Sequence, residues 1–202
     1  MLFPETGAYF RKLQPFTMND VPAPEKEIAR YPIGPYEAPA AFDPEAVRGW
    51  IDLLENFPRW LDVLIENLDE AQLNTPYRTG GWSMQQIIHH LADSHMVAYI
   101  RIKMALTEDN PAVAPYREDR WAGTPEVAEV PVNVSITLLH ALHRRWAGLL
   151  RALPEAHWQR TFYHPERARS IAVWELVDYY AWHSRHHAEQ MRELRERKGW
   201  NW

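Results

Sequence analysis

Two histidines set one helical turn apart carry the first chemical signal in this chain. The stretch from Ile171 to Lys198, IAVWELVDYYAWHSRHHAEQMRELRERK, holds neither Gly nor Pro. Wound at about 100° per residue, it gathers Val173, Leu176, Val177, Tyr180, Met191 and Leu194 on one side. Glu175, Asp178, Arg185, Glu189, Arg192 and Glu196 collect opposite. His183 and His187 fall inside the apolar stripe rather than among the charges, so both imidazoles point toward the core. A lone histidine on such a face is ordinarily a hydrogen-bonded core residue. Two of them need two buried partners, because unsatisfied polar rings are costly away from water. A shared metal ion satisfies both at once, and His-x-x-x-His on a helix is a common ligand spacing.

A metal needs a third ligand, and the chain contains no cysteine. That removes thiolate ligands, a disulfide framework and a cysteine nucleophile, leaving His, Asp, Glu and water. A second histidine group lies in a segment opened by Ser83, where Ser-Met-Gln-Gln matches a capping box with Gln86 at the third helical position. Its stripe is Met84, Ile87, Ile88, Leu91, His95, Ala98, Ile102 and Leu106. His95 is central in that stripe and His90 lies on its shoulder beside Ser94 and Arg101, so geometry leaves the two as rival third ligands. His89 points to the far side and reads as a surface residue.

The elements that must position these rings follow from the rest of the pattern. Residues 1–42 carry seven prolines without a sustained helical period and read as an extended arm; residues 43–202 read as one helical, metal-binding domain. Asp43-Pro44 caps a first helix whose apolar face, from Val47 to Leu68, carries it to about Asp69, with a kink expected at Pro58. Thr107 to Pro131 is a long, proline-rich crossover without periodicity, whose Tyr116, Arg117, Asp119, Arg120 and Trp121 are placed to line a pocket mouth. A third helix is expected from about Ser135 to Leu153, with His140 outward and His143 near its edge. FYHPERARS then reads as a loop or short hairpin holding His164, before a final helix capped by Ser170. Four helices with one long connection make a four-helix bundle, an all-α fold.

Composition narrows the function. The 202 residues carry 22 basic and 27 acidic side chains, a net charge of −5 that argues against a nucleic-acid partner. No run of about 20 apolar residues suits a membrane span, and no leader pattern opens the chain, so a cytoplasmic protein without a membrane partner is expected.

Three stretches in order, GGWSMQQIIHHLADSHMVAYIRIKMALTEDNPAVAPYREDRWA, FYHPE and YAWHSRHHAEQM, resemble the DinB-like superfamily and, within it, the YfiT-type metal-dependent hydrolases. The similarity runs from about Tyr31 to the C-terminus. It implies an antiparallel four-helix bundle, a homodimer, and one divalent ion per subunit held by three histidines, which match His90, His183 and His187 here.

Three neutral imidazoles leave a coordination position open, as catalytic zinc sites do. Such an ion lowers the pKa of bound water toward about 7, polarises a carbonyl, or holds a thiol as thiolate. Zinc (Zn2+) is the first expectation and nickel (Ni2+) the second. Without His-Glu-x-x-His, and with Asp93 on the outer side of its helix, no general base is assigned. Asp178 and Glu189 face away from the ligand stripe, so partners for the histidines are expected from other helices. The leading reading is a hydrolase of a small-molecule substrate. A thiol S-transferase using a low-molecular-weight thiol such as bacillithiol shares every ligand with it, and a non-catalytic metal-binding stress protein is the third reading.

Overall fold

A computed structural model describes residues 30–201. The first 29 residues of the expected arm lie outside the described residues, and residues 30–42 form neither helix nor strand. Helix α1, Pro44–Ile65, starts as anticipated: the Asp43 carboxylate accepts from the Glu45 N–H at 2.9 Å, and Pro44 occupies the first turn. The helix continues through Pro58 but stops at Ile65, short of Asp69. Asn67 turns the chain at φ 61°, and Asp69 begins a separate turn, α2 (Glu70–Leu73). There Asp69 and Gln72 exchange two capping hydrogen bonds at 2.8 Å. The apolar period had concealed this break, because Leu68 continues the stripe across it.

Helix α3, Met84–Thr107, opens on the expected capping box: Gln86 N–H donates to Ser83 Oγ at 3.1 Å, and Ser83 N–H to Gln86 Oε1 at 3.0 Å. The crossover is less irregular than its sequence suggests, for it contains the short helices α4 (Glu118–Trp121) and α5 (Pro125–Glu129). Helix α6, Val132–Arg151, begins one turn before Ser135. FYHPERARS forms the hairpin β1 (Thr161–His164) and β2 (Arg169–Ala172), with His164 paired to Arg169. Ser170 is therefore a strand residue and not a cap. Helix α7, Val173–Lys198, is instead closed by Glu175, whose Oε1 accepts from the Ala172 N–H at 3.0 Å.

The protein is a four-helix bundle of α1, α3, α6 and α7. Helix α1 packs on α6 and α7, and α3 packs on the same two. Its core is split into two apolar halves. One gathers Leu54, Ile102, Trp146, Val177 and Tyr180; the other gathers Phe57, Ile88, Leu91, Leu139 and Met191. On α3 the changeover falls at Ser94 and His95, on α6 at His143, and on α7 between Tyr180 and Met191, where His183 and His187 stand. A seam of histidines thus crosses the bundle between two dry halves. Among the described residues no helix is long and apolar enough to cross a membrane.

Candidate metal centre

His183 and His187 come from one face of α7 and His90 from α3. All three are buried, and one ring nitrogen from each lies within 4.8 Å of the other two. His90 and His183 meet Nε2 to Nε2 at 3.1 Å. Zinc bonds of about 2.0–2.1 Å in a tetrahedral site put ligand nitrogens roughly 3.3 Å apart, so this pair already stands at ligand separation. Of the rival third positions, His90 joins the pair and His95 does not.

The outward nitrogens of His183 and His187 fix the tautomers of those two rings. The Leu54 carbonyl can only accept, so His143 Nδ1–H must donate to it, and the neutral His143 ring accepts at Nε2. His95 Nδ1–H donates to that Nε2 at 2.7 Å, leaving His95 Nε2 to accept from His183 Nδ1–H at 3.3 Å. His183 Nε2 is then a bare lone pair facing His90. A second carbonyl does the same for His187. Gln190 donates its amide N–H to the Arg30 carbonyl at 3.1 Å and to His186 Nε2 at 3.0 Å. Its Oε1 therefore faces His187 and accepts from Nδ1–H at 2.8 Å. His187 Nε2 is left free of a proton. His90 Nδ1 meets the Tyr116 hydroxyl at 3.0 Å, supplied by the crossover.

Burial keeps the rings neutral. It pulls His90 down to about 3 and His143 to about 4, and it holds His95, His183 and His187 well below the ordinary imidazole value, with neighbouring imidazoles adding to the shift for each of the last three. His183 and His187 thus turn bare nitrogens inward with their protons fixed on the outer side, and the neutral ring of His90, whose outer Nδ1 faces the Tyr116 hydroxyl, completes the donor set a divalent ion requires. The residues present fit the ion.

Several expectations are corrected here. His89 is not on the surface: it is buried, with Nδ1 2.8 Å from Ser135 Oγ and Nε2 3.0 Å from the Val130 carbonyl, because α5 and the start of α6 cover that side of α3. His143 is fully buried and not at an edge. Asp178 is buried although it lies opposite the ligand stripe, since Tyr36 donates its hydroxyl to it at 2.7 Å. Partners of the ligands do not all come from other helices, as Gln190 sits on α7 itself. The His95–His143 chain was missed altogether, although His143 sits one turn from Leu139 and beside Leu142 and Trp146, a pattern that could have exposed it.

The loop before α3 closes one side of the centre. Trp82 packs on His90 with ring centroids 4.7 Å apart and lies parallel to His187 at 6.4 Å. Beside it, Gly81 lets the loop fold closely on itself: a Cβ there would stand 2.7 Å from the Tyr77 ring. On the other side a cavity of about 480 Å³ opens beside His183, lined by Tyr116, Arg117, Asp119 and Arg120 as anticipated and also by Glu118 and His164. Trp121 is not in that lining; it packs edge-on against Tyr116 at 5.1 Å.

The DinB superfamily profile matches residues 53–191. A Bacillus mycoides protein named "putative metal-dependent hydrolase" is 44% identical over 171 residues, 85% of this chain and 98% of its own. A Geobacillus thermodenitrificans protein of the same name is 44% identical over 85% of this chain and 96% of its own. YfiT from Bacillus subtilis, described as "a probable metal-dependent hydrolase with an unusual four-helix bundle topology", superposes with a TM-score of 0.84 at 41% identity, covering 86% of this chain and 99% of its own. The four-helix bundle protein TT2238 matches in fold alone, at TM-score 0.50 and 19% identity over 73% of this chain and 98% of its own. In sequence and in architecture, this chain belongs to the DinB superfamily.

Proposed function

We propose that the chain is a metal-dependent hydrolase in which His90, His183 and His187 hold one divalent ion, zinc before nickel, at the wall of the cavity. The observation that carries this reading is the convergence of three buried ring nitrogens within 4.8 Å while their outer nitrogens are bonded elsewhere. Bound there, a divalent ion supplies Lewis-acid chemistry, making a water molecule more acidic and polarising a carbonyl. The chain's own residues orient and exclude. Leu54, through His143 and His95, holds the His183 ring, Gln190 holds His187, and Trp82 keeps solvent from the far side. An ion that merely pinned the bundle would need no cavity beside its ligands, which argues against a purely structural role.

One observation favours a thiol S-transferase as the second reading. Among the described residues the buried part of the cavity contains no carboxylate to act as base, and Asp93, whose pKa burial raises to about 6, is absent from the lining. A thiol held by such an ion would lose its proton to solvent on coordination and would need no such base. The test is metal analysis of wild type and His187→Ala followed by turnover of ester, amide and electrophilic substrates with and without a low-molecular-weight thiol. Stoichiometric metal and thiol-independent turnover in wild type alone support the hydrolase; strictly thiol-dependent turnover supports the transferase. Equal metal content in the two proteins removes the site.

A further inference from the structure

The cavity beside His183 has a rim and a floor of different chemistry. Its rim is exposed and of mixed sign, with Arg117 and Glu166 paired at 3.3 Å and Glu118, Asp119, Arg120 and Arg167 around them. Its floor is made by Ser94, Arg101, His164 and Tyr180, each 8% exposed or less, and holds no carboxylate. Arg101 donates one Nη2 hydrogen bond to the Ala114 carbonyl at 2.9 Å, and its buried Nε has no partner among the described residues. The buried Nδ1 of His164 has none either. Ser94 and Tyr180 satisfy each other at 3.0 Å.

A guanidinium taken out of water without a counter-charge is costly, and buried charges are found paired or bound to a ligand. Among the described residues Arg101 has no such pair. Burial lowers its pKa, with Arg167 adding to the drop and Tyr180 and the rim carboxylate Glu166 opposing it; Arg101 and Arg167 likewise add to burial in lowering that of His164, against Glu166. Its place along α3 sets the scale of what would complete it. The 1.5 Å rise puts the Cα of Arg101 about 16 Å along the axis from that of His90, and Arg101 lines the same cavity as His183.

We propose that Arg101 and His164 form an oxyanion-binding pocket, so that the substrate is a small molecule whose carboxylate or phosphate group is held by Arg101 while its reacting bond faces His90, His183 and His187. The second half of this statement rests on the metal-site reading; the pocket itself does not. A guanidinium recognises both groups through paired N–H donors, and the buried His164 adds a further polar contact.

The test titrates the full-length protein with sodium acetate and, separately, inorganic phosphate at fixed ionic strength, following backbone and imidazole resonances by NMR. Both the metal-loaded and the chelator-stripped protein are used. Saturable shifts at Ser94, Arg101 and His164 are expected in the stripped protein. Affinity should fall about tenfold or more in Arg101→Gln, the worth of a charge-assisted hydrogen bond, and stay at the wild-type level in Arg120→Gln at the rim. Preference for acetate or for phosphate names the group on the substrate, and either supports the pocket. No saturable binding, or equal binding by Arg101→Gln, overturns it. Should Arg101→Gln fail to fold, the residues shifted in wild type and the loss in His164→Gln decide: shifts confined to the rim overturn the pocket. Anion binding by a protein that takes up no stoichiometric metal would sink the metal reading and leave the pocket standing; metal without anion binding would do the reverse.

Discussion

His89 and His187 are both buried histidines on long helices of this bundle, yet their environments differ in one decisive way. His89 has a protein partner on each ring nitrogen, Ser135 on one side and the Val130 carbonyl on the other. His187 has Gln190 on its outer nitrogen, and the candidate ligand nitrogens of His90 and His183 lie within 4.8 Å of its own. Burial is common to both, so burial does not mark a ligand. What marks it is a lone pair forced inward by an acceptor on the opposite side of the ring. His143 sits between these cases: its ring is closed by the Leu54 carbonyl and by His95, and it acts on the centre only by fixing a tautomer two residues away.

The contrast can be broken or sharpened by substitution. The largest effect is expected for His187→Ala, which should lose stoichiometric metal altogether by atomic emission analysis of the purified protein. His143→Leu should keep the stoichiometry but weaken metal binding about 10–100-fold in a chelator competition, as loss of an outer-shell partner typically does. Tyr116→Phe removes one hydrogen bond to His90, a net of about 0.5–1.5 kcal/mol, and should weaken metal binding roughly threefold to tenfold in the same assay. His89→Ala should retain wild-type metal content. Its cost is to folding, about 1–3 kcal/mol in urea denaturation, because the Val130 carbonyl loses its buried donor. A His89→Ala protein without metal would erase the distinction between the two histidines.

Much of this was legible in the sequence, and the remainder failed for physical reasons. The pair His183 and His187 and the capping box at Ser83 follow from periodicity and local hydrogen-bonding chemistry, which a single helix expresses by itself, and the crossover residues near the cavity follow from the lack of any period in a long proline-rich segment. His89 was misplaced because its covering surface, α5 and the start of α6, comes from a segment about forty residues away whose path no helical period encodes. The choice between His90 and His95 depends on how α3 is rotated against α7, a property of the packed pair. Ser170 resembled a cap, but the hairpin register Thr161 to Ala172 draws it into a strand, and Glu175 closes the helix instead. Arg101 stood out in the sequence only as a neighbour of His90 along the helix. That its buried Nε meets no partner among the described residues is visible only once the hairpin carrying His164 is laid over α3.

The most direct measurement is X-ray absorption at the zinc edge of the purified, zinc-loaded protein. Three imidazole nitrogens at about 2.0–2.1 Å with a non-protein oxygen completing the shell are predicted. The same spectrum for His90→Ala should show one imidazole fewer or no bound metal. A first shell of two or fewer imidazoles in wild type, or one unchanged by His90→Ala, would contradict the convergence of His90, His183 and His187 on a single ion.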